Sequence, residues 1–96
     1  MSTINDNSLL YQSAWKKWGS AAQLVMVMEE CAELQQVCSK LIRMKKGDVF
    51  SEMRIAEEIV DVQIMLEQLK QMYCYSSTID RIKKKKLARL RKLVEA

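Results

Sequence analysis

Residues 21–44 read AAQLVMVMEECAELQQVCSKLIRM. This stretch contains no proline or glycine, and its apolar residues recur every three or four positions, which is the period of an amphipathic helix. We therefore predict a long helix over about residues 21–44. Its apolar stripe consists of Leu24, Val27, Cys31, Leu34, Cys38, Leu41 and Ile42, extended on one side by Met26 and Val37.

A second stretch, residues 52–73, repeats this pattern and predicts another long helix. Its stripe consists of Ile55, Ile59, Val62, Met65, Leu66, Leu69, Met72 and Tyr73. Between the two stretches, the KKGD segment at residues 45–48 contains the helix breaker Gly47, and Ser51 is a candidate N-cap. The two long helices are therefore expected to form an antiparallel hairpin.

Shorter helices are predicted on both sides of the hairpin. The first covers residues 9–18 and is ended by Gly19, with Ser20 as the candidate cap of the next helix. The last follows a break at residues 76–78 and runs to about Val94.

The expected architecture is a single all-α domain over residues 1–96, a helical bundle with four helices per chain. Residues 1–7 are polar and are expected to be disordered. A chain of this size can bury only a thin core, and seven methionines suit adaptable helix–helix contacts, so we expect an oligomer.

The composition disfavours several classes of protein. The chain has no histidine, which argues against zinc catalysis and against Ser-His or Cys-His nucleophiles. Cys31, Cys38 and Cys74 form no C-x-x-C pair and are predicted to be reduced core thiols of a cytoplasmic protein. No signal peptide or membrane-spanning segment is evident.

Acidic residues interrupt both apolar stripes. Glu30 lies within the stripe of the first long helix, and Glu33 lies at its edge. Glu58 and Asp61 occupy the same two positions on the second long helix. Each long helix therefore presents a pair of carboxylates, three residues apart, on its core face.

A divalent cation would explain this arrangement. Burying ionised carboxylates costs several kcal/mol or more per group unless they are compensated, and like charges also repel. The two acidic pairs are equally distant from residues 45–46, so a hairpin turning there sets them at similar heights. Oxygen ligands without histidine favour Mg²⁺, with Mn²⁺ as an alternative. The alternative is a helical bundle without a metal, in which these acidic side chains are solvated near the contact between the two helices.

On the fourth helix, basic residues interrupt the apolar face in the way that acidic residues do on the two long helices. Its apolar face contains Ile79, Ile82, Leu87, Leu90, Leu93 and Val94. Lys86 projects from within this face, Lys83 is similarly placed, and Arg89 lies at the edge. An inward lysine could meet the carboxylates or a phosphate, although its stem could instead snorkel along apolar surface. The run of lysines at residues 83–86 otherwise reads as a solvated face.

These motifs together resemble the all-α NTP pyrophosphohydrolases, often called MazG-like, in their small phage and bacterial form. The resemblance is carried by MEECAELQQVCSK at residues 28–40 and EEIVDVQIML at residues 57–66, which fit E-E-x-x-E followed by E-x-x-D. The W-x-x-W-G-x-x-A-Q segment at 15–23 and K-L-x-R-L at 86–90 add to it.

The resemblance implies hydrolysis of a nucleoside triphosphate to a monophosphate and pyrophosphate. It implies Mg²⁺ held by Glu30, Glu33, Glu58 and Asp61, with Glu30 or Glu33 orienting the attacking water. It also implies a homodimer or homotetramer with the active site completed at the subunit interface.

The remaining candidate residues would bind substrate. Lys86, with Lys83 or Arg89 behind it, would hold the outer phosphates. Trp15 and Trp18 are candidates for stacking on the base, although core or interface packing is the favoured interpretation for both.

Two other classes of function stay open. One is a helical interaction protein without enzymatic activity, and the other is a nucleic-acid binder using the basic fourth helix. A ferritin-like di-iron protein would need Glu-x-x-His motifs, which a chain without histidine lacks.

Overall fold

The computed structural model describes residues 7–45 and 52–96, and these ranges contain four α-helices and no β-strand. In chain order the helices are α1 (Asn7–Trp18), α2 (Ser20–Ile42), α3 (Glu52–Tyr73) and α4 (Ser76–Glu95). The all-α prediction is therefore confirmed for the described part of the chain.

A single glycine joins α1 to α2. The backbone N–H of Gly19 donates to the carbonyl of Trp15 (2.9 Å), and the carbonyl of Gly19 accepts from the N–H of Gln23 (3.1 Å). Gly19 has φ 87°, where glycine is favoured because it has no Cβ. The prediction that Gly19 ends the first helix is confirmed, but the prediction of Ser20 as a cap is wrong. Gly19 itself holds the N-cap position, and Ser20 is the first residue of α2.

Other boundaries differ from prediction by one to three residues. Asn7, predicted to be disordered, is the first residue of α1, while residues 1–6 lie outside the described part. Helix α2 ends at Ile42 instead of Met44, with Arg43 as its C-cap. The predicted turn at residues 45–48, apart from Lys45, and the predicted cap Ser51 lie outside the described residues.

The junction between α3 and α4 is shorter than predicted. Only Cys74 and Tyr75 separate the two helices, so the expected break at residues 76–78 is wrong. The N–H groups of Thr78 and Ile79 both donate to the carbonyl of Tyr75, at 3.0 and 3.1 Å. Helical hydrogen bonding thus begins at Tyr75, and the serine and threonine residues form the first turn, where such residues are tolerated.

The core lies where α2 and α3 pack together, with α1 resting against both. We call the contact between α2 and α3 the seam. Its buried residues are Gln23 and Val37 of α2 and Glu58, Val62, Met65 and Gln68 of α3. Trp15 of α1 is only 4% exposed and meets the ring of Tyr73 edge-on, with centroids 5.5 Å apart. One end of the seam is therefore closed by an aromatic contact.

The seam uses only part of the predicted apolar stripes. On α2 it runs along Gln23, Glu30 and Val37, while Leu24, Met26, Cys38, Leu41 and Ile42 are exposed. On α3, the predicted members Ile59, Leu66, Met72 and Tyr73 are also exposed. Stripes this broad exceed what one neighbouring helix covers, so periodicity alone did not identify which part is buried.

The cysteines are not core residues. Cys31 is half-buried, and Cys38 and Cys74 are exposed. The prediction of core thiols is therefore wrong. Cys31 and Cys38 instead line an open apolar cleft on α2 with Leu34 and Ile42.

Helix α4 stands apart from the seam. Of the described helices only α3 approaches it, and no residue of α4 is buried against the described chain. Its predicted apolar face is therefore exposed from Ile82 to Val94, whereas Ile79 is half-buried. The lysine run at residues 83–86 is exposed as expected. The radius of gyration is 16.9 Å, well above the value of about 12.5 Å for a compact domain of this length.

None of the described helices combines the length and the apolar character that crossing a lipid bilayer requires.

Replacing Trp15 tests the core. Trp15→Ala should lower the free energy of unfolding by about 3–5 kcal/mol, because it removes a large buried side chain and leaves a cavity. Trp18→Ala is the matched control and should cost less than about 1 kcal/mol, because Trp18 is 58% exposed. Urea denaturation of both variants gives the comparison, and similar losses would contradict the assignment of Trp15 to the core.

Candidate metal centre

Four carboxylates converge at the middle of the seam. Glu30 and Glu33 come from α2, and Glu58 and Asp61 come from α3. One oxygen from each side chain lies within 4.8 Å of the chosen oxygens of the other three. The three-residue spacing places both members of a pair on one helix face, so packing α2 against α3 brings all four together.

The cluster has a buried side and an open side. Glu58 is 9% exposed and Glu30 is half-buried, whereas Glu33 and Asp61 are exposed. Oε2 of Glu30 and Oε2 of Glu58 are both buried and have no hydrogen-bond partner among the described residues. Buried acceptors without partners are rare in native proteins because desolvation is then uncompensated.

This environment shifts the pKa values of the two inner carboxyl groups, those of Glu30 and Glu58. Burial raises the pKa of Glu30 above its ordinary value, and the nearby charges of Glu33, Asp61 and Glu58 raise it further. Burial likewise raises the pKa of Glu58, with further contributions from the charge and hydrogen bonding of Glu33. Both carboxyl groups thus lie where ionisation is disfavoured unless a cation compensates.

Arg54 partly offsets this charge. It lies one helical turn before Glu58 on α3, and its guanidinium acts to lower the pKa of Glu58, against the effect of burial and the other acids. Arg54 was missed in the sequence analysis, although its spacing of four residues from an inward glutamate was a usable signal.

The arrangement fits a divalent cation. Two oxygens on opposite sides of one Mg²⁺ are about 4.2 Å apart, so oxygens within 4.8 Å need only small side-chain adjustments. The donor set is purely carboxylate, which suits Mg²⁺ or Mn²⁺ better than zinc or copper. The unpartnered oxygens of Glu30 and Glu58 are the two acceptors that such an ion would satisfy.

The outward acids lie outside this cluster. Glu29 and Glu57 are exposed and do not join the four converging carboxylates of the described chain. The distinction between adjacent inward and outward glutamates, made from the helical period alone, is therefore present in the geometry.

The cationic candidates are not brought to the cluster within one chain. Lys83, Lys86 and Arg89 are exposed on α4, and none is among the charges of the described residues that shift the pKa of Glu30 or Glu58. The reason is that α4 leaves the end of α3 without packing along α2. Contact of an inward lysine with the acids was one of the alternatives left open by the sequence, and the described part of a single chain does not provide it.

The two tryptophans differ in what they can contact. Trp15 is enclosed in the core, so stacking of Trp15 on a base is not compatible with this fold. Trp18 is exposed beside an apolar cleft lined by Ala21, Ala22, Val25 and Met26. The ammonium of Lys17 lies 5.3 Å from its ring centroid.

Gln23 and Gln68 were not identified as site residues from the sequence. Both are buried at the seam, and Nε2 of Gln23 donates to Oε1 of Gln68 at 2.7 Å. Their signal was positional, because Gln23 lies seven residues before Glu30 and Gln68 lies seven residues after Asp61. Seven residues are close to two helical turns, which places each glutamine on the same face as its acid.

Comparisons of this chain with protein-family models, with curated proteins and with solved structures gave no match.

The raised pKa values predict a pH dependence of stability. In the metal-free protein, the contribution of Glu30 and Glu58 to the free energy of unfolding should fall as pH rises from their ordinary pKa of 4.5 through the raised pKa values. The sign follows because the folded state binds these protons more tightly than the unfolded state. Urea denaturation of the wild type and of a Glu30→Gln/Glu58→Gln variant, from pH 4.5 to 7.5 with chelator, isolates this contribution.

The wild type should lose stability relative to the variant as pH rises, and Mg²⁺ at neutral pH should reduce that loss. Parallel stability curves for the two proteins would contradict the clustering of these carboxylates.

Proposed function

We propose that this chain is a Mg²⁺-dependent nucleoside triphosphate pyrophosphohydrolase that converts an NTP or dNTP into the monophosphate and pyrophosphate. The observation that carries the proposal is the four-carboxylate cluster, with two buried oxygens that lack partners. The motif resemblance to the MazG-like enzymes supports the choice of substrate and of the bond cleaved.

Each acid has a distinct place in this proposal. Glu30 and Glu58 would hold the metal from the buried side, and Glu33 and Asp61 would hold it at the open side. Bound Mg²⁺ would neutralise charge on phosphate oxygens and lower the pKa of a coordinated water molecule. Glu30 or Glu33 would orient the attacking water and accept its proton, as a general base must lie within hydrogen-bond reach of the nucleophile.

The open side determines how the substrate arrives. Because Glu33 and Asp61 are exposed, the triphosphate would approach past them while the base and sugar extend away from the seam. On the flank of α2 near Ala22 and Met26, Trp18 offers an exposed aromatic surface. Of the two tryptophans, Trp18 is therefore the better candidate for contact with a base.

Cations for the outer phosphates would come from a second chain. In an oligomer, α4 of one subunit could lie along the seam of another, which would bring Lys86, Lys83 or Arg89 to the phosphates. The exposed apolar residues of α4 and the open apolar cleft on α2 support a homodimer or homotetramer, because neighbouring exposed apolar side chains are typical of interaction surfaces.

Oligomerisation is testable with paired charge insertions on α4. The wild type should behave as a dimer or tetramer in light scattering at micromolar concentration. Leu90→Glu should shift it towards monomer because a carboxylate then lies within the apolar face. Ala88→Glu adds the same charge on the opposite face and should leave the assembly intact. A monomeric wild type would contradict this part of the proposal.

The activity is tested with a panel of NTPs and dNTPs in the presence of Mg²⁺. The expected products are pyrophosphate and a nucleoside monophosphate. Orthophosphate with a diphosphate would refute the proposed bond, and no turnover across the panel would refute the enzymatic reading.

Adjacent glutamates provide the matched variants. Glu58→Gln should weaken Mg²⁺ binding and turnover by more than the roughly 10–100-fold that follows loss of an outer-shell group. The metal-free variant should be at least as stable as wild type, because less like charge is buried. Glu57→Gln removes the same charge from an exposed position and should have much smaller effects. Equal losses in both variants would overturn the assignment of the metal ligands.

One observation favours a second candidate, a nucleic-acid-binding protein. Helix α4 carries eight basic and two acidic residues and buries none of them. Binding to DNA or RNA that weakens steeply with salt, in a protein without turnover, would support this function instead.

A further inference from the structure

Two glutamines form a buried amide pair between α2 and α3. Nε2 of Gln23 donates to Oε1 of Gln68 at 2.7 Å, and the two residues are only 5% and 6% exposed. Nε2 of Gln68 also approaches the sulfur of Met65 at 3.6 Å. We refer to Gln23 and Gln68 as the glutamine pair.

The glutamine pair and the acids share one helical register. Gln23 precedes Glu30 by seven residues, and Gln68 follows Asp61 by the same number. Because the two helices run past each other in opposite directions, pairing Gln23 with Gln68 places Glu30 opposite Asp61. The same alignment places Glu33 opposite Glu58, which matches the observed cluster.

Other contacts at the seam do not specify this alignment. Val37, Val62 and Met65 are buried apolar residues, whose contacts are non-directional and can re-form after a shift by one turn. The segment between Ile42 and Glu52 is nine residues long, so its length does not fix the alignment of the two helices.

The acids themselves oppose the alignment. Without a cation, bringing four carboxylates within 4.8 Å is unfavourable because like charges repel. Relative sliding of the helices would relieve this repulsion while keeping apolar burial. At the α1 end, the Trp15–Tyr73 contact and the hydrogen bond from Nε2 of Gln71 to the carbonyl of Ser8 (2.8 Å) also restrain α3. Within the seam itself, the Gln23–Gln68 hydrogen bond is a directional contact that favours this register before a metal binds.

We propose that the glutamine pair positions the metal site by fixing the register of α2 against α3. A shift by one turn would leave both amides buried without their partner, which costs more than an amide hydrogen bond contributes when made. A single buried polar contact that sets helix register has precedent in coiled coils. The metal and activity consequences rest on the proposed function, but the effect on register does not.

The test replaces both glutamines by methionine, which has similar length and helix propensity but no amide. Gln23→Met/Gln68→Met should keep or raise the melting temperature, because replacing both partners by apolar groups of similar shape is nearly neutral or stabilising. The matched control is Gln36→Met/Gln63→Met, at two exposed positions on the same helices. We call the Gln23→Met/Gln68→Met variant the methionine pair. If it does not fold, Gln23→Leu/Gln68→Leu serves as the second variant.

Register is measured with nitroxide labels and no metal. Labels replace Met28 and Met53, both exposed, in a background where Cys31, Cys38 and Cys74 are changed to serine. Dilution with unlabelled chain restricts the measurement to distances within one chain. A one-turn slip changes the separation along the helices by about 5 Å. Wild type and control should give one distance, and the methionine pair should give a shifted or additional distance.

Metal binding is measured in parallel with Mn²⁺ as the probe. The methionine pair should bind Mn²⁺ at least tenfold more weakly than wild type at equal or higher melting temperature, a combination that a purely stabilising role would not produce. A single wild-type distance in the methionine pair would overturn the proposal. Wild-type protein that does not bind Mn²⁺ would refute the proposed function, while the distance measurement would still decide the role of the glutamine pair.

Discussion

The structure depends on the contact between α2 and α3, and that contact carries an electrostatic conflict. Apolar burial along the seam draws together two helices that each carry a pair of carboxylates on the packing face. Burial disfavours the charge on Glu30 and Glu58, and the neighbouring acids disfavour it further. A chain selected for stability alone would place leucine at these positions. Glu30 and Glu58 therefore destabilise the metal-free fold, and the proposed metal ion would offset that cost.

The polar groups along the seam divide into two zones with different requirements. At one end Nε2 of Gln23 donates to Oε1 of Gln68, while Nε1 of Trp15, which packs on Tyr73, is buried without a partner among the described residues. In the middle, the carboxylates leave two buried oxygens without described partners. Satisfied polar contacts specify geometry, whereas a buried carboxylate oxygen without a partner can accept from a water molecule or bind a cation.

Much of this could be predicted from the sequence, because helical period and charge are local properties. The four helices, Gly19 as a terminator and the inward direction of Glu58 all follow from spacing and residue type. The burial of Gln23 and Gln68 could not be predicted in the same way, since a lone glutamine usually reads as a surface residue. The position of α4 away from the seam could not be predicted either. Its sequence pattern shows an apolar face, but it does not show whether that face packs against the same chain.

The backbone at Gly19 has a consequence for how the chain tolerates mutation. Its φ of 87° and ψ of 159° lie in a region that is open essentially to glycine alone, although no described atom lies within 4 Å of the place where a Cβ would sit. The restriction thus comes from the peptide backbone and not from crowding. Any other residue would have to accept backbone strain or change the direction of α1, and a change of direction would weaken the contact of Trp15 with Tyr73. One position without a side chain therefore encodes the angle between two helices, and with it the closure of the core.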